Sequence, residues 1–453
     1  MKSFRKVIAT TALVVVGSMS VATMASAETI VGTGATFPAT FQAKATVDYS
    51  IATGHSVSYA NPQGSGSGKT AFFGSTLQDF AGTDSSVSST QSGSTAFNWV
   101  YVPYVSGAIS IAYRLDSLKG ASLNLSIPTI AGIFDGTIKT WNDPLILADM
   151  KIAPIWVNST TSSKFKGASA LWTETSATAS TVTVTLTPAA LKKAKGKKIE
   201  VFVDSAKKSM KSVKVATKGQ IAIALTTAAA TYTVKVDGKE VGKFAQQDNT
   251  PTLPSTPITV VVRSGTSGTT NNFIKPLNAF NSKWTVDDSF TKGIPGGVAP
   301  TSFQSLQTSD LVSNLIADTD GSIGYTEVSF ATDATRAAKG MRSANVKNVA
   351  GKFVAPTSAA TSSMIADSAI DSKGFVTFNF NQTSNTTAYP FVAITYALAR
   401  TAASSKATIV ADYLKWILNS FAPLQAEALG YAPLTGAVLT IAKNNAARVG
   451  SGN

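Results

Sequence analysis

Ile258-Thr259-Val260-Val261-Val262-Arg263-Ser264-Gly265-Thr266-Ser267-Gly268-Thr269 is the run from which the fold can be read. Its first five residues are β-branched and almost wholly apolar, as in a strand buried on both faces. The strand ends in a cation, and Ser-Gly-Thr then opens a helical pattern over 269–280. Ligands of open α/β sheets bind at the carboxyl ends of strands. An Arg there, beside several hydroxyls and the unpaired N–H groups of a helix start, suits a tetrahedral oxyanion. A capped helix next to a surface Arg is the plainer alternative.

Outward from this run the same alternation continues. Strands are expected at 29–31, 56–59, 79–81, 100–104, 108–113, 324–325, 375–380 and 392–398. Helices are expected at 37–51, 68–74, 309–317, 407–420 and 424–429. This is the mark of an α/β architecture with parallel strands. Between 158 and 257 the pattern changes to short polar–apolar alternations at 180–186, 198–203, 212–215, 220–225 and 231–236. Asp237-Gly238 favours a tight hairpin there. Together these predict an inserted all-β, Ig-like sandwich, left through the proline-bearing linker 250–257.

The 453 residues allow two or three domains. The chain has no Cys, which excludes disulfides, thiolate nucleophiles, zinc–cysteine sites and a lipidated cysteine anchor. Its one His, His55, reads as a surface or turn residue, so no catalytic residue, metal or cofactor is expected. Lys2, Arg5 and Lys6, an apolar stretch over 7–16 and Ala25-Ser26-Ala27 form an export signal over 1–27; an uncleaved membrane anchor is the alternative. The mature chain is then expected outside the cytoplasm, periplasmic or at the cell surface, as a monomer. The net charge of +14 divides unevenly. Three positive charges lie in 1–27, while 158–257 holds fifteen Lys against six acids, and the rest is nearly neutral. The Lys-rich insertion reads as a solvated surface or as a dock for an anionic envelope polymer or lipid surface. Without interleaved aromatics it is not a nucleic-acid site.

Three further segments carry chemistry. Gly32-Thr33-Gly34-Ala35-Thr36-Phe37-Pro38 joins a strand to a helix and offers backbone N–H groups and the Thr36 hydroxyl. Gly64-Ser65-Gly66-Ser67-Gly68-Lys69-Thr70 looks like a nucleotide P-loop but has Gln63 where that motif needs Gly, so it reads as an N–H-donating turn. Phe80-Ala81-Gly82-Thr83-Asp84-Ser85 ends a strand in an acid. An Asp beside an anion pocket accepts the proton of a protonated oxyanion such as phosphate and repels sulfate; a plain helix N-cap is the other reading. Trp141 reads as a packing anchor, and Phe72, Phe73, Trp99, Tyr101 and Tyr104 as core or hinge residues.

In this order, G-T-G-A-T-F-P, G-S-G-S-G, F-A-G-T-D, G-x-I-x-x-W-N-D (136–143), R-S-G-T-S-G-T-T-N-N-F (263–273), G-S-I-G-Y-T-E (321–327) and Y-A-P-L (431–434) resemble the phosphate-binding proteins of Pst-type ABC importers. The resemblance spans roughly 28–157 and 258–453. It implies a type II periplasmic-binding-protein fold, two α/β lobes with a cleft, lobe 1 being 28–108 with 396–453 and lobe 2 being 109–157 with 258–395. It implies capture of inorganic phosphate for an importer permease, with ligand contacts from Thr36, Phe37, Ser65, Asp84, Arg263, Ser267, Gly268 and Thr269. One departure is Gly265, where family members often carry an Asp that tethers the Arg. Strand 258–262 pointing Arg263 at the cleft puts the insertion junction ~17 Å from the ligand, at ~3.3 Å per residue. An adhesion or scaffold protein working through the insertion is the alternative.

Overall fold

The computed structural model of the chain describes residues 28–452 except 75–77, 94–96, 152–154, 161–169, 175–180, 187–191, 193–194, 205–208, 210, 215–219, 225–230 and 248–249. The expected export signal lies outside the described residues.

A single strand, Trp99–Arg114, organises the body. It has 16 residues, all buried except the two at its ends. Two separate strands are expected here, at 100–104 and 108–113. The chain instead passes straight through Ser106-Gly107, because Ser106 is held there by backbone and side-chain hydrogen bonds to Ala432. The first half of this long strand pairs antiparallel with Val392–Arg400, and its second half pairs antiparallel with Ser322–Glu327. Two groups of strands therefore hang on one backbone. Thr29–Gly34 lies parallel between Ser56–Tyr59 and Phe80–Thr83, and Phe80–Thr83 in turn meets Val392–Arg400. Thr259–Arg263 lies parallel between Gln304–Leu306 and Ser322–Glu327. Parallel strands are thus found within each group, and antiparallel pairs join the groups.

Burial on both faces explains the Val run: four of the five residues of Thr259–Arg263 are buried. Phe273 stacks on Tyr325 with centroids 4.2 Å apart and meets Phe134 at 4.7 Å, which packs the helix Gly268–Phe280 against its sheet. Trp141 is fully buried, and its Nε1 donates to the Gly321 carbonyl (3.2 Å), in agreement with a packing anchor. The strand expected at 375–380 shrinks to Val376–Thr377. Asp371 accepts from the Lys373 and Phe375 N–H groups, and Asn379 from Asn381 N–H. These local side-chain bonds compete with a ladder.

Between Ile155 and Gln247 the described strands form two antiparallel sheets. One has the order Lys211–Lys214, Lys198–Val203, Thr231–Val236, Lys239–Gln247, Ile155–Thr160, and the other Gln220–Ala224, Thr181–Leu186, Ala170–Glu174. The strands Ile155–Thr160, Ala170–Glu174 and Lys239–Gln247 have no counterpart in the sequence reading, and the first begins ahead of Asn158. Asp237 and Gly238 both have positive φ (54° and 74°), the geometry of a tight hairpin turn. At the exit, Pro257 bridges Thr140 and Thr256 accepts from Trp141 N–H. No helix among the described residues is long and apolar enough to cross a membrane.

Trp141 thus ties the exit of the insertion to the sheet. Trp141→Ala is expected to cost about 3–5 kcal/mol, read as a lowered midpoint in chemical denaturation.

Candidate functional site

Arg263 ends its strand with the side chain 2% exposed. Its Nε donates to the Gln307 carbonyl (2.8 Å), and Nη1 donates to the hydroxyls of Thr36 (3.0 Å) and Ser309 (3.1 Å). Its own backbone N–H donates to the Tyr325 hydroxyl (3.2 Å). Nη2 is buried and has no hydrogen-bond partner. A side chain on Gly64 would stand 3.5 Å from Nη2 and 2.7 Å from the Thr266 carbonyl, and Gly64 has φ +124°. Only glycine lets that turn roof the guanidinium. An unpaired N–H of a buried cation is costly, which makes Nη2 the clearest pointer to an anionic ligand.

Asp84 faces the same space from the other strand group and is 2% exposed. Thr395 donates to its Oδ1 (2.7 Å) and Ser65 to its Oδ2 (3.2 Å), while Asp84 N–H donates to Ser65 Oγ (3.0 Å). Burial pushes its carboxyl up from 3.8 to about 7, against the lowering effect of the Thr395 bond and with the added push of the Glu327 charge. The N-cap reading of Asp84 fails: the next helix, Ser89–Ser92, is capped by Ser88.

Helix starts supply the remaining donors. Ser267 caps Gly268–Phe280, its Oγ accepting from Thr270 N–H (3.3 Å). Its own N–H goes to the Asp288 carbonyl (2.8 Å), so what Ser267 can offer an anion is its hydroxyl proton. Gly268 and Thr269 follow in the first turn, where N–H groups have no helical partner. A Cβ on Gly268 would come within 2.3 Å of Ser65 Oγ and 2.7 Å of Asp84 Cβ, so no other residue fits. Phe37 is fully buried, its ring edge-on to Tyr431 and its carbonyl accepting from the Tyr431 hydroxyl (2.7 Å). That leaves its backbone N–H for a ligand.

The structure therefore brings all eight expected residues, Thr36, Phe37, Ser65, Asp84, Arg263, Ser267, Gly268 and Thr269, to one buried place. It adds Ser309, Thr395 and Glu327. Glu327 is 1% exposed. Its Oε1 accepts from Thr269 (3.0 Å) and Ser309 (2.9 Å), and its Oε2 from Thr326 (3.0 Å). Burial raises its carboxyl, and the Arg263 charge pulls the other way. Since a hydroxyl has one proton, Thr269 bonded to Glu327 turns a lone pair to the site. Gly265 has no acid to tether Arg263, and a Cβ there would already press on Gln307 (2.9 Å). The carboxylate linked to Arg263 is instead Glu327, through Ser309. Glu327 ends the G-S-I-G-Y-T-E motif, so a signal existed; Ser309 and Thr395 had none beyond helix-start and strand residue types.

His55 lies ahead of Ser56–Tyr59 and accepts from Glu28 N–H (3.4 Å), consistent with a turn residue. Among the described residues no His/Cys/Asp/Glu group could hold a metal ion. A groove of about 530 Å³ is lined by Met364, Phe378 and Phe380 among others. Its amides are turned to each other, Asn385 Nδ2 donating to Gln382 Oε1 (2.7 Å) and Gln382 Nε2 to the Met364 carbonyl (2.8 Å).

A family described as the PBP superfamily domain matches residues 20–246 and 239–420. The phosphate-binding protein PstS of Xylella fastidiosa (strain 9a5c) is 33% identical over 190 residues, 40% of this chain and 48% of that protein. Phosphate-binding protein PstS 3 of Mycobacterium leprae is 44% identical over 92 residues, 19% and 23% of the two chains. The chain thus spans about half or less of the length of these curated relatives. Among solved structures, a high-affinity periplasmic phosphate-binding protein bound with phosphate has a TM-score of 0.56 at 19% identity, covering 92% of this chain and 93% of that one. The phosphate-binding protein of Stenotrophomonas maltophilia has a TM-score of 0.51 at 16% identity, covering 92% and 93%. At these identities the likeness concerns the fold.

The raised Asp84 carboxyl carries a stability signature. The folded chain holds this proton up to about pH 7, whereas the unfolded chain loses it near 3.8. The proton's contribution is therefore complete below pH 4 and lost as pH rises through 7, up to about 4 kcal/mol. In the absence of anion, Asp84→Asn is expected to flatten that decline in denaturation midpoints measured from pH 4 to 8.

Proposed function

The chain belongs to the PBP superfamily, and on that premise we propose that it is an exported receptor that captures inorganic phosphate and delivers it to the permease of an ABC importer. The observation that carries this reading is Arg263 Nη2, a buried cationic N–H without a protein partner, ringed by hydroxyls and helix starts from both strand groups. In this reading 28–108 with 396–453 and 109–157 with 258–395 are two lobes that close on the anion. Trp99–Arg114 and Val392–Arg400, the two strands that run from one lobe into the other, serve as the hinge.

Phosphate meets the site group by group. Arg263 Nη2, the Ser267 hydroxyl and the N–H groups of Phe37, Ser65, Gly268 and Thr269 donate to its unprotonated oxygens. The Thr36 hydroxyl can turn from Ser309 to join them. Once ionised, above about pH 7, Asp84 accepts a hydrogen bond from the P–OH group, whereas a fully deprotonated sulfate would face its carboxylate. The protein needs no cofactor for this and works as a monomeric binding protein rather than as an enzyme.

The insertion, which we take as an Ig-like module over 158–257, has its own role. Lys214 stands directly opposite Lys198, and Glu200, two residues on, stands opposite Lys235. Cross-strand partners share a face, and like charges placed opposite each other destabilise a sheet. An external anion, such as an envelope polymer, would relieve that repulsion.

Calorimetry on the mature chain at pH 8, where Asp84 is ionised, is expected to show phosphate binding, competition by arsenate and little by sulfate. Equal sulfate affinity would sink the role given to Asp84. Asp84→Asn should admit sulfate, and Arg263→Ala should weaken phosphate roughly 10- to 150-fold, the worth of a charged hydrogen bond. A chain lacking 158–257 should keep its phosphate affinity and lose adsorption to anionic cell-envelope polymer.

A further inference from the structure

Lys69 is the lysine that makes Gly64–Thr70 look like a P-loop, and the structure gives it a different task. It lies on the helix Ser65–Phe73, one turn beyond Ser65, and is 3% exposed. Its Nζ donates to Ser85 Oγ (3.0 Å), the Ser86 carbonyl (3.0 Å) and Asp288 Oδ2 (2.8 Å). An ammonium has three protons, so none is left for an anion at Arg263. Ser85 and Ser86 belong with Lys69 to the Phe80–Thr83 group. Asp288 belongs to the other group, in the segment between helices Gly268–Phe280 and Phe290–Gly293. Its Oδ2 also accepts from Ser85 Oγ (3.0 Å), and its carbonyl accepts from Ser267 N–H (2.8 Å). The residue that grips Lys69 across the cleft therefore also holds the loop that opens the anion-facing helix.

We propose that Lys69 and Asp288 form a latch that holds the two lobes shut and sets how long an anion stays, without taking part in choosing it. This rests on the lobe-closure reading given above. The two side chains are 4% and 15% exposed, so salt screens the pair little. Parting the lobes breaks the bond but returns both charges to water. Removing one partner leaves the other charge buried in the closed state and favours opening, whereas removing both leaves no such charge.

The test is the rate at which inorganic phosphate leaves, followed by stopped flow with a phosphate trap. Lys69→Met and Asp288→Asn should each speed release roughly tenfold or more. The double variant should release more slowly than the product of the two effects requires, and the phosphate-to-arsenate affinity ratio should stay as in the parent. Unchanged release from the folded single variants, multiplicative effects or an altered anion ratio would overturn the latch. If the parent chain takes no phosphate, the receptor reading fails and the latch is tested alone. The chain has no Cys, so spin labels on cysteines placed at the exposed Val47 and Val298 report a single distance across the cleft. In the anion-free protein Lys69→Met should lengthen it, and an unchanged distance distribution would refute the latch.

Discussion

Much of this molecule is arranged around the burial of one guanidinium. Arg263 lies at the end of an apolar strand, 2% exposed, where a cation is tolerated only if its protons are met. Gln307, Thr36 and Ser309 satisfy part of it. Two of these come from its own strand group, and Thr36 comes from the other. The charge thus draws the groups together while one nitrogen stays unpaired. Glu327 acts behind this set, fixing Ser309 and Thr269 through their single protons, and Asp84 faces the same space with a carboxyl that burial keeps protonated up to about pH 7.

The sheet makes such a site possible. Because Trp99–Arg114 belongs to both strand groups, the carboxyl ends of Thr29–Gly34 and Thr259–Arg263 face a common space while the groups remain joined by continuous backbone. Gly64 and Gly268 then allow contact close enough for Gly66 N–H to reach the Thr266 carbonyl (3.2 Å). Any side chain at Gly268 would hold the groups apart at the point where Ser65 and Asp84 meet the helix start.

The charge of the whole chain is a poor guide to this chemistry. Most of the excess lysine lies in 158–257, and the body around Arg263 is nearly neutral. Anion binding depends on a few oriented donors at short range rather than on a diffuse field. In a buried site such donors act at low dielectric, while surface lysines are screened within about 10 Å.

The family resemblance named the full set of eight site residues; the sequence by itself determined the α/β alternation, the change of pattern near 158 and the loops that carry Thr36, Ser65, Asp84 and Arg263. Each is a local signal: an apolar run of period two, a Gly/Ser turn before a helix, an acid or Arg at a strand end. What reaches across the chain was not legible. The expected strands 100–104 and 108–113 became one because Ala432, distant in sequence, holds Ser106. Strand 375–380 shrank to Val376–Thr377 because Asp371 and Asn379 bond their neighbours. Ser309 and Thr395 entered the site through side-chain direction, and Lys69, read locally as part of a Gly/Ser turn, found its partner at Asp288. Pairings between residues two hundred positions apart have no local pattern. They exist because the fold brings the groups together, and only the tertiary structure decides which buried charge meets which.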